Sequence, residues 1–395
     1  MRAETEWISL AEAIAAHMGE VQGLVRAMYE QPEIGGREYA AHDRLSAYME
    51  EQGFCVERHV AMETGFTAIY DSGKAGPCIL YPAELDALPG VGHGCGHNLF
   101  TGFSLLAALG LKELLDRVGG RVMLAGTPAE ENLGGKIQMA EAGVFNACSA
   151  ALMIHPGTKN QMGSQTMALY PLRFEFFGKS AHASRPDEGA SALDAAVEAF
   201  LSINMLRQFS SRHVQIHGVI RNGGEAANVI PAYASLEYYF RAPQMKTAVA
   251  VAGRAKKRAE AAALANGCSV KISVHECPYG ELLVNSPLNA ILEEAFRRQG
   301  IEDIAPYDPN PSGSSDVGAL SFRFPTVQAY LRIAPETVRG HSKEMADATV
   351  APETAEVLRK GAQALAEAGL QLILEPESLA RCQSAWREAQ IRDKA

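Results

Sequence analysis

The feature that most constrains this chain is a rhythm that starts, breaks and resumes. Between residues 66 and 154, short apolar runs at 66–70, 78–81, 122–125 and 150–154 alternate with helical stretches at 101–115 and 135–142. That alternation predicts an α/β sheet covered by helices on both sides. Two helices precede it: Leu10, Ile14, Met18, Val21, Val25 and Met28 recur at helical spacing, and a second helix is expected at 40–52, stopped by Gly53. Near Leu169 the order becomes strand (172–177), helix (191–206), two strands (214–220 and 232–240), helix (247–264) and strand (270–274), the order of a ferredoxin-like split βαβ unit. From Ser286 the first pattern returns, with a helix to Arg298, a Pro/Gly/Ser-rich loop at 306–315, a strand at 327–331 and a closing helix after Pro352. The expectation is a discontinuous α/β domain of residues 1–167 and 281–395 carrying an inserted α+β domain at 168–280. No internal repeat is visible.

At 395 residues two domains are the ordinary expectation. A net charge of −10 argues against a nucleic-acid surface, which needs clustered Lys and Arg. The one basic run, Lys256-Lys257-Arg258, is followed by Glu260 and reads as a solvated helix face. No apolar run reaches the roughly 18 residues of a membrane span, and Met1-Arg2-Ala3-Glu4-Thr5-Glu6 is polar and acidic where a signal peptide is basic and then apolar. A cytoplasmic protein with no membrane partner is therefore expected. Seven scattered cysteines, an odd number, fit reduced thiols better than a disulfide framework.

In covered α/β sheets, reactive groups gather at the carboxyl ends of strands. Three groups fall there: Cys95 and His97 in the glycine-rich segment Gly90-Val91-Gly92-His93-Gly94-Cys95-Gly96-His97-Asn98, the pair Glu130-Glu131, and His155. A thiol, imidazoles and carboxylates are the donors that suit zinc or another first-row transition metal. Singly, each has an ordinary structural reading: a buried thiol beside a hydrogen-bonded histidine, a solvated acidic turn, a histidine closing a strand. Beside a metal, two adjacent carboxylates acquire distinct uses, one as ligand and one as proton acceptor. Taken together, the set predicts a metal centre.

With these motifs in order, the chain resembles the aminoacylase, hippurate hydrolase and aminobenzoyl-glutamate hydrolase family of metallo-amidohydrolases. The likeness runs from Gln31-Pro32-Glu33 through Ala83-Glu84-Leu85-Asp86-Ala87-Leu88-Pro89 to Ser314-Ser315-Asp316-Val317-Gly318 and His341. The wording is most similar to the branch holding aminobenzoyl-glutamate hydrolase and the β-alanyl-lysine-type dipeptidases. The resemblance implies a metallopeptidase-type mixed sheet sandwiched by helices, with the insert as a ferredoxin-like lid and dimerisation domain.

It further implies that Cys95, His97, Glu131, His155 and His341 ligate one or two divalent ions (Zn, Mn, Co or Ni), with Glu130 as general base and acid and Asp86 as the carboxylate orienting a ligand. In the insert, His182 within Gly178-Lys179-Ser180-Ala181-His182 resembles the histidine that polarises the substrate carbonyl, often from a partner subunit, and Asn228 matches a substrate-contacting position. Arg241, beside Tyr238, Tyr239 and Phe240, is placed either to clamp a substrate carboxylate or to form an ordinary salt bridge. Two positions depart from the pattern: Glu84 stands where many wider relatives have a metal-binding histidine, and Asn98 where nearer ones have aspartate. The expected activity is cleavage of an amide in a small N-acyl or N-aroyl amino acid or dipeptide, the substrate bearing a carboxylate. The alternatives are hydrolytic deamination of an aminoaromatic acid and a non-catalytic metal-binding protein. A homodimer through the insert is expected.

Overall fold

The computed structural model describes residues 2–308 and 313–394. Its contacts divide into two compact units: Thr166–Glu281, joined by residues 313–314, and a larger unit made of the chain on either side.

The larger unit opens with α1 (Arg2–Glu30), whose Leu10, Ile14, Val21, Val25 and Met28 are all buried along one face. In α2 (Tyr39–Glu51) the first free amides, those of Ala40 and Ala41, donate to the Glu33 carboxylate at 3.0 and 2.9 Å. Next come β1 (Cys55–Arg58), β2 (Phe66–Asp71), β3 (Cys78–Glu84), α3 (His97–Val118), β4 (Arg121–Thr127), α4 (Gly135–Glu141), β5 (Ala150–Gly157) and β6 (Asn160–Gln161). Every residue of β3 is buried, as a central strand covered on both faces requires. By length and composition alone α3 passes as a candidate membrane span, although Lys112 and Glu113 interrupt its apolar run. The window that passes is 89% buried within the protein, and α3 is a core helix.

The second unit holds β7 (Ala168–Phe177), β8 (Ala181–His182), α5 (Ala192–Asn204), β9 (Gln215–Asn222), β10 (Val229–Ile230), β11 (Tyr233–Ala242), α6 (Met245–Ala265) and β12 (Ser269–Ser273). Its antiparallel sheet runs β12-β7-β11-β9, the split βαβ order. Phe174, Phe176, Leu236, Tyr238 and Phe240 pack beneath alanines of α5 and α6, among them Ala195, Ala199, Ala255 and Ala259. Small helix residues there let large sheet side chains fill the core. The Ser191 hydroxyl caps α5 by accepting from the Asp194 amide at 3.1 Å.

The chain then returns to the larger unit with α7 (Ser286–Arg298), β13 (Ile304–Ala305), α8 (Gly318–Ser321), β14 (Thr326–Arg332), α9 (Lys343–Ala348), α10 (Thr354–Leu374) and α11 (Pro376–Lys394). Two helices close the chain where one is expected. Of the loop expected at 306–315, residues 309–312 lie outside the described residues. The eight strands are ordered β1-β2-β4-β3-β5-β14-β6-β13. β4, β3, β5 and β14 are parallel, while β2 joins β4 and β1 antiparallel. The result is a mixed sheet flanked by helices, and the carboxyl ends of its parallel strands lie at one edge.

Candidate metal centre and catalytic cluster

Three segments converge at that edge, and two glycines permit it. Gly96, in the left-handed region (φ 89°), precedes α3, and a Cβ there would stand 2.9 Å from Pro156 Cγ. With that approach open, Cys95 Sγ reaches 3.5 Å from His155 Nε2. A Cβ on Gly94 would lie 2.9 Å from the Ser342 carbonyl oxygen, and the Gly94 carbonyl instead accepts the His341 amide at 2.9 Å. The β3–α3 turn, the end of β5 and the segment before α9 are thereby brought together.

Two non-glycine residues at this edge hold left-handed backbone, Ala129 (φ 56°) and His341 (φ 60°). Such strain persists only where the surroundings hold it. The Ala129 amide donates to Glu38 Oε1 at 2.8 Å, and Glu38 Oε2 accepts from the Thr64 hydroxyl at 2.7 Å. The Ala129 carbonyl accepts from the amides of Leu133 and Gly134. Glu130 and Glu131 are thus fixed immediately after the strained residue.

Asp86 links two of the donors. Its Oδ1 lies 3.1 Å and its carbonyl oxygen 2.9 Å from His97 Nδ1, while Oδ2 accepts the Glu131 amide at 3.0 Å. With acceptors facing Nδ1, the ring proton belongs there and the Nε2 lone pair points outward. His155 follows the same logic: its Nδ1 faces the Pro156 carbonyl at 2.7 Å, leaving Nε2 toward Cys95. Donor atoms of Cys95, His97 and His155 lie within 4.8 Å of one another, as do those of Cys95, Glu131 and His341, and those of His97, Glu130 and Glu131. His341 Nε2 is 3.6 Å from Glu131 Oε1.

Two observations test whether a divalent ion fits these residues. His97 Nε2 and Glu131 Oε1 are buried atoms that make no hydrogen bond, a costly state unless something else satisfies them. The 3.5 Å between Cys95 Sγ and His155 Nε2 also matches the roughly 3.5 Å separation of two donors held tetrahedrally at about 2.3 and 2.0 Å. The donor set of thiolate, imidazole and carboxylate suits a borderline transition metal.

Burial and neighbouring charge divide the donors: Cys95 and His155 are held neutral, while His97 is held toward its charged form. Burial pushes the Cys95 thiol up to about 12 and His155 down to about 4. His97 resists its burial penalty, because Cys95, Glu84 and Asp86 hold it well above the usual histidine value. A bound cation would reverse the Cys95 shift, since a coordinating thiol is deprotonated. Burial, with the carboxylates of Glu84 and Asp316 nearby, raises Glu130 well above the carboxylate range.

Sequence reasoning missed two partners of this cluster. Lys136 is fully buried, and its ammonium donates to Glu84 Oε1 at 2.6 Å and Asp316 Oδ1 at 2.7 Å. Lys136 and Asp316 are 180 positions apart, which no local spacing reveals; the only signals are a lysine just after Gly134-Gly135 and the acidic residue of the Ser-Ser-Asp-Val-Gly motif. Asn98 does not face the cluster's donors: its amide donates to the Val25 carbonyl at 3.2 Å and to Thr349 Oγ1 at 2.9 Å, tying α3 to α1 and to the end of α9. His93 is buried, and burial lowers it to about 3.

The remaining expected site residues lie in the second unit. His182, exposed on β8, has Nδ1 at 2.7 Å from Ser184 Oγ. The Asn228 carbonyl accepts the Ala183 amide at 2.9 Å, at the end of the antiparallel pair that β8 and β10 form. Arg241 lies over the Tyr239 ring at 5.9 Å and donates to Ser314 Oγ at 3.4 Å; no carboxylate among the described residues pairs with it.

Comparison with known proteins gives the family and the fold. Residues 79–370 match the model of Peptidase family M20/M25/M40. The chain is 36% identical to the human Xaa-Arg dipeptidase over 96% of this chain and 92% of that one. It is 32% identical to a p-aminobenzoyl-glutamate hydrolase chain of Escherichia coli (strain K12), over 72% and 63% of the two chains. The crystal structure of an aminobenzoyl-glutamate utilization protein from Klebsiella pneumoniae shares the fold, with a TM-score of 0.71 at 19% identity across 90% of this chain and 98% of that one. The class defined here is a metal-dependent peptidase or amidohydrolase acting on small amino-acid conjugates. The chain belongs to Peptidase family M20/M25/M40.

Proposed function

We propose that the protein is a dipeptidase-like amidohydrolase in which Cys95, His97, Glu131, His155 and His341 hold one or two divalent ions, zinc, manganese, cobalt or nickel, and Glu130 is the general base. The observation that carries this reading is the buried Glu130 carboxylate within reach of His97 and Glu131, two groups that each leave a buried atom without a hydrogen bond. A divalent ion bound there supplies Lewis acidity toward water and a carbonyl oxygen.

The chain's own residues supply the rest. Glu130, whose proton affinity is raised by burial and by Glu84 and Asp316, takes a proton from the attacking water and passes it to the departing amine nitrogen. Asp86 keeps the His97 proton on Nδ1 and holds the Glu131 backbone. His182 and Asn228 are proposed to contact substrate, His182 donating to the carbonyl oxygen as negative charge develops, and Arg241 to clamp a substrate carboxylate. For substrate, the name of the human relative, matched along most of both chains, favours a dipeptide with a basic C-terminal residue over an aroyl-glutamate.

In this reading the unit Thr166–Glu281 is the lid and dimerisation domain. Val197, Leu201, Met205 and Phe209 leave apolar side chains exposed at four-residue spacing on α5 and the turn that follows, a stripe that a second copy would cover. Among the described residues no disulfide joins the cysteines, which supports a reducing, cytoplasmic compartment in this reading.

Glu130→Gln is the test of mechanism: metal content equal to wild type with turnover reduced about 10²–10⁴-fold is expected, and turnover within tenfold of wild type overturns the base assignment. The same preparation, offered dipeptides ending in Arg or Lys, N-acyl amino acids, aroyl-glutamates and aminoaromatic acids, is expected to cleave the dipeptides fastest. Ammonia released from an aminoaromatic acid with no amide cleaved contradicts the reading.

A further inference from the structure

Glu84 ends β3 fully buried, and its two oxygens have unlike surroundings. Oε1 accepts from the Lys136 ammonium at 2.6 Å. Oε2 makes no hydrogen bond and stands 3.1 Å from His97 Nε2, which makes none either. A charged imidazole paired only with carboxylates would place an N–H on each, yet the Glu84 contact lacks hydrogen-bond geometry while the Asp86 contact has it. Two donors of one ion, each about 2.0–2.2 Å from it at angles of about 90–109°, sit roughly 2.8–3.6 Å apart. The 3.1 Å separation falls within that span.

We infer that Glu84 is a further donor to the ion at His97, and that Lys136 is the residue that positions it. This rests on the metal-centre reading above. Lys136 reaches that centre's donors through its bond to Glu84. Its ammonium also bonds Asp316 Oδ1 at 2.7 Å, and Asp316 Oδ2 accepts the Lys136 backbone amide at 2.9 Å, so the acid grips the lysine at both ends. Carboxylate oxygens of Glu84, Glu130 and Asp316 lie within 4.8 Å of one another, an arrangement that calls for a positive charge. The ammonium is that charge. It lets three buried carboxylates converge, fixes Glu84 by one oxygen, and leaves the other turned toward His97. Glu84 therefore gains a role together with a lysine 52 positions further along the chain.

The test is equilibrium Zn²⁺ binding, by competition with a chromophoric chelator, to the full chain and four variants, with folding checked by circular dichroism. Glu84→Gln is expected to fold and to bind Zn²⁺ at least tenfold more weakly, in the range seen when groups that orient metal ligands are lost. Lys136→Met with Asp316→Asn, which removes one charge of each sign, is expected to weaken binding comparably. Adding Glu84→Gln to that pair should then change affinity by less than about threefold, because Glu84 is no longer aimed. Asp316→Asn alone keeps the ammonium on Glu84 and is expected to stay within about threefold of wild type, so the claim is readable even if the pair does not fold. Wild-type affinity and stoichiometry in Glu84→Gln overturn the donor role. Additive losses, or a loss in Asp316→Asn as large as in Glu84→Gln, overturn the positioning role of Lys136. His97→Ala separates the two levels: if it binds Zn²⁺ as wild type does, the metal-centre reading fails, whereas its loss alongside an unaffected Glu84→Gln sinks only the present inference.

Discussion

At the scale of single residues, the proposed centre depends on groups that touch its candidate ligands as well as on those ligands. Asp86 accepts from His97 with one oxygen and from the Glu131 amide with the other. Asparagine can accept at only one of these places and presents an N–H to the other donor. Asp86→Asn is therefore expected to weaken metal binding by about 10–100-fold and to cost roughly 1–3 kcal/mol of stability. Calorimetric metal titration and urea unfolding measure the two effects, and unchanged metal affinity contradicts the role. Ala129 offers a second case. Its left-handed backbone is strained for a residue with a Cβ, and a β-branched side chain there is worse. Ala129→Val is expected to lower stability by at least about 2 kcal/mol and Ala129→Gly to change it by less than about 1, as read by urea unfolding. Cys95, His97, Glu130 and His155 were legible because each stands at a strand end among glycines or paired charges. Asp316 and Lys136 were not, since a buried ion pair between distant segments leaves no period or spacing in the chain.

At the scale of elements, the sequence located the parallel strands well, because their continuous apolar runs are a strong signal, and missed short edge pieces such as β6 and β13, which are two residues each. The spacing predicts the central helix from residue 101, yet α3 begins at His97. The glycine-rich turn reads as loop to the end of its motif, but left-handed Gly96 closes it early and places His97 on the first turn of a rigid helix. The α2–β2 contact carries a pH dependence. His42 of α2 is buried, its Nδ1 facing the Thr64 carbonyl at 3.0 Å and its ring edge-on to Phe66. Burial, offset partly by the Thr64 carbonyl, holds its pKa below the usual histidine value. The unfolded chain then binds a proton more readily than the folded one, so this contribution is whole above about pH 6.5 and is lost as pH falls through the lower folded value. The fall in melting temperature between pH 7.5 and pH 5.5 is expected to be smaller in His42→Gln than in wild type, and equal falls contradict the assignment.

At the scale of the whole molecule, the return of the first rhythm after residue 281 is what makes the larger unit discontinuous, and only a three-dimensional contact pattern shows that its two parts build one sheet. The proposed metal donors come from both parts: Cys95, His97, Glu131 and His155 from the first, His341 from the second. Binding an ion therefore ties the two parts together, and a ligand that binds only the folded state raises stability by mass action. Removal of metal by a chelator is expected to lower the melting temperature, and stoichiometric Zn²⁺ or Mn²⁺ to restore it. The proposed dimer has its own check: Leu201→Glu with Phe209→Glu should shift the molecule toward monomer in sedimentation, and an unchanged mass contradicts a lid-to-lid interface. The most direct measurement of the central claim is the absorption spectrum of the Co²⁺-loaded protein. A thiolate-to-cobalt charge-transfer band is expected in wild type and in Glu130→Gln, and is expected to vanish in Cys95→Ser. A wild-type protein that binds no Co²⁺, or a band that survives in Cys95→Ser, would contradict the metal centre.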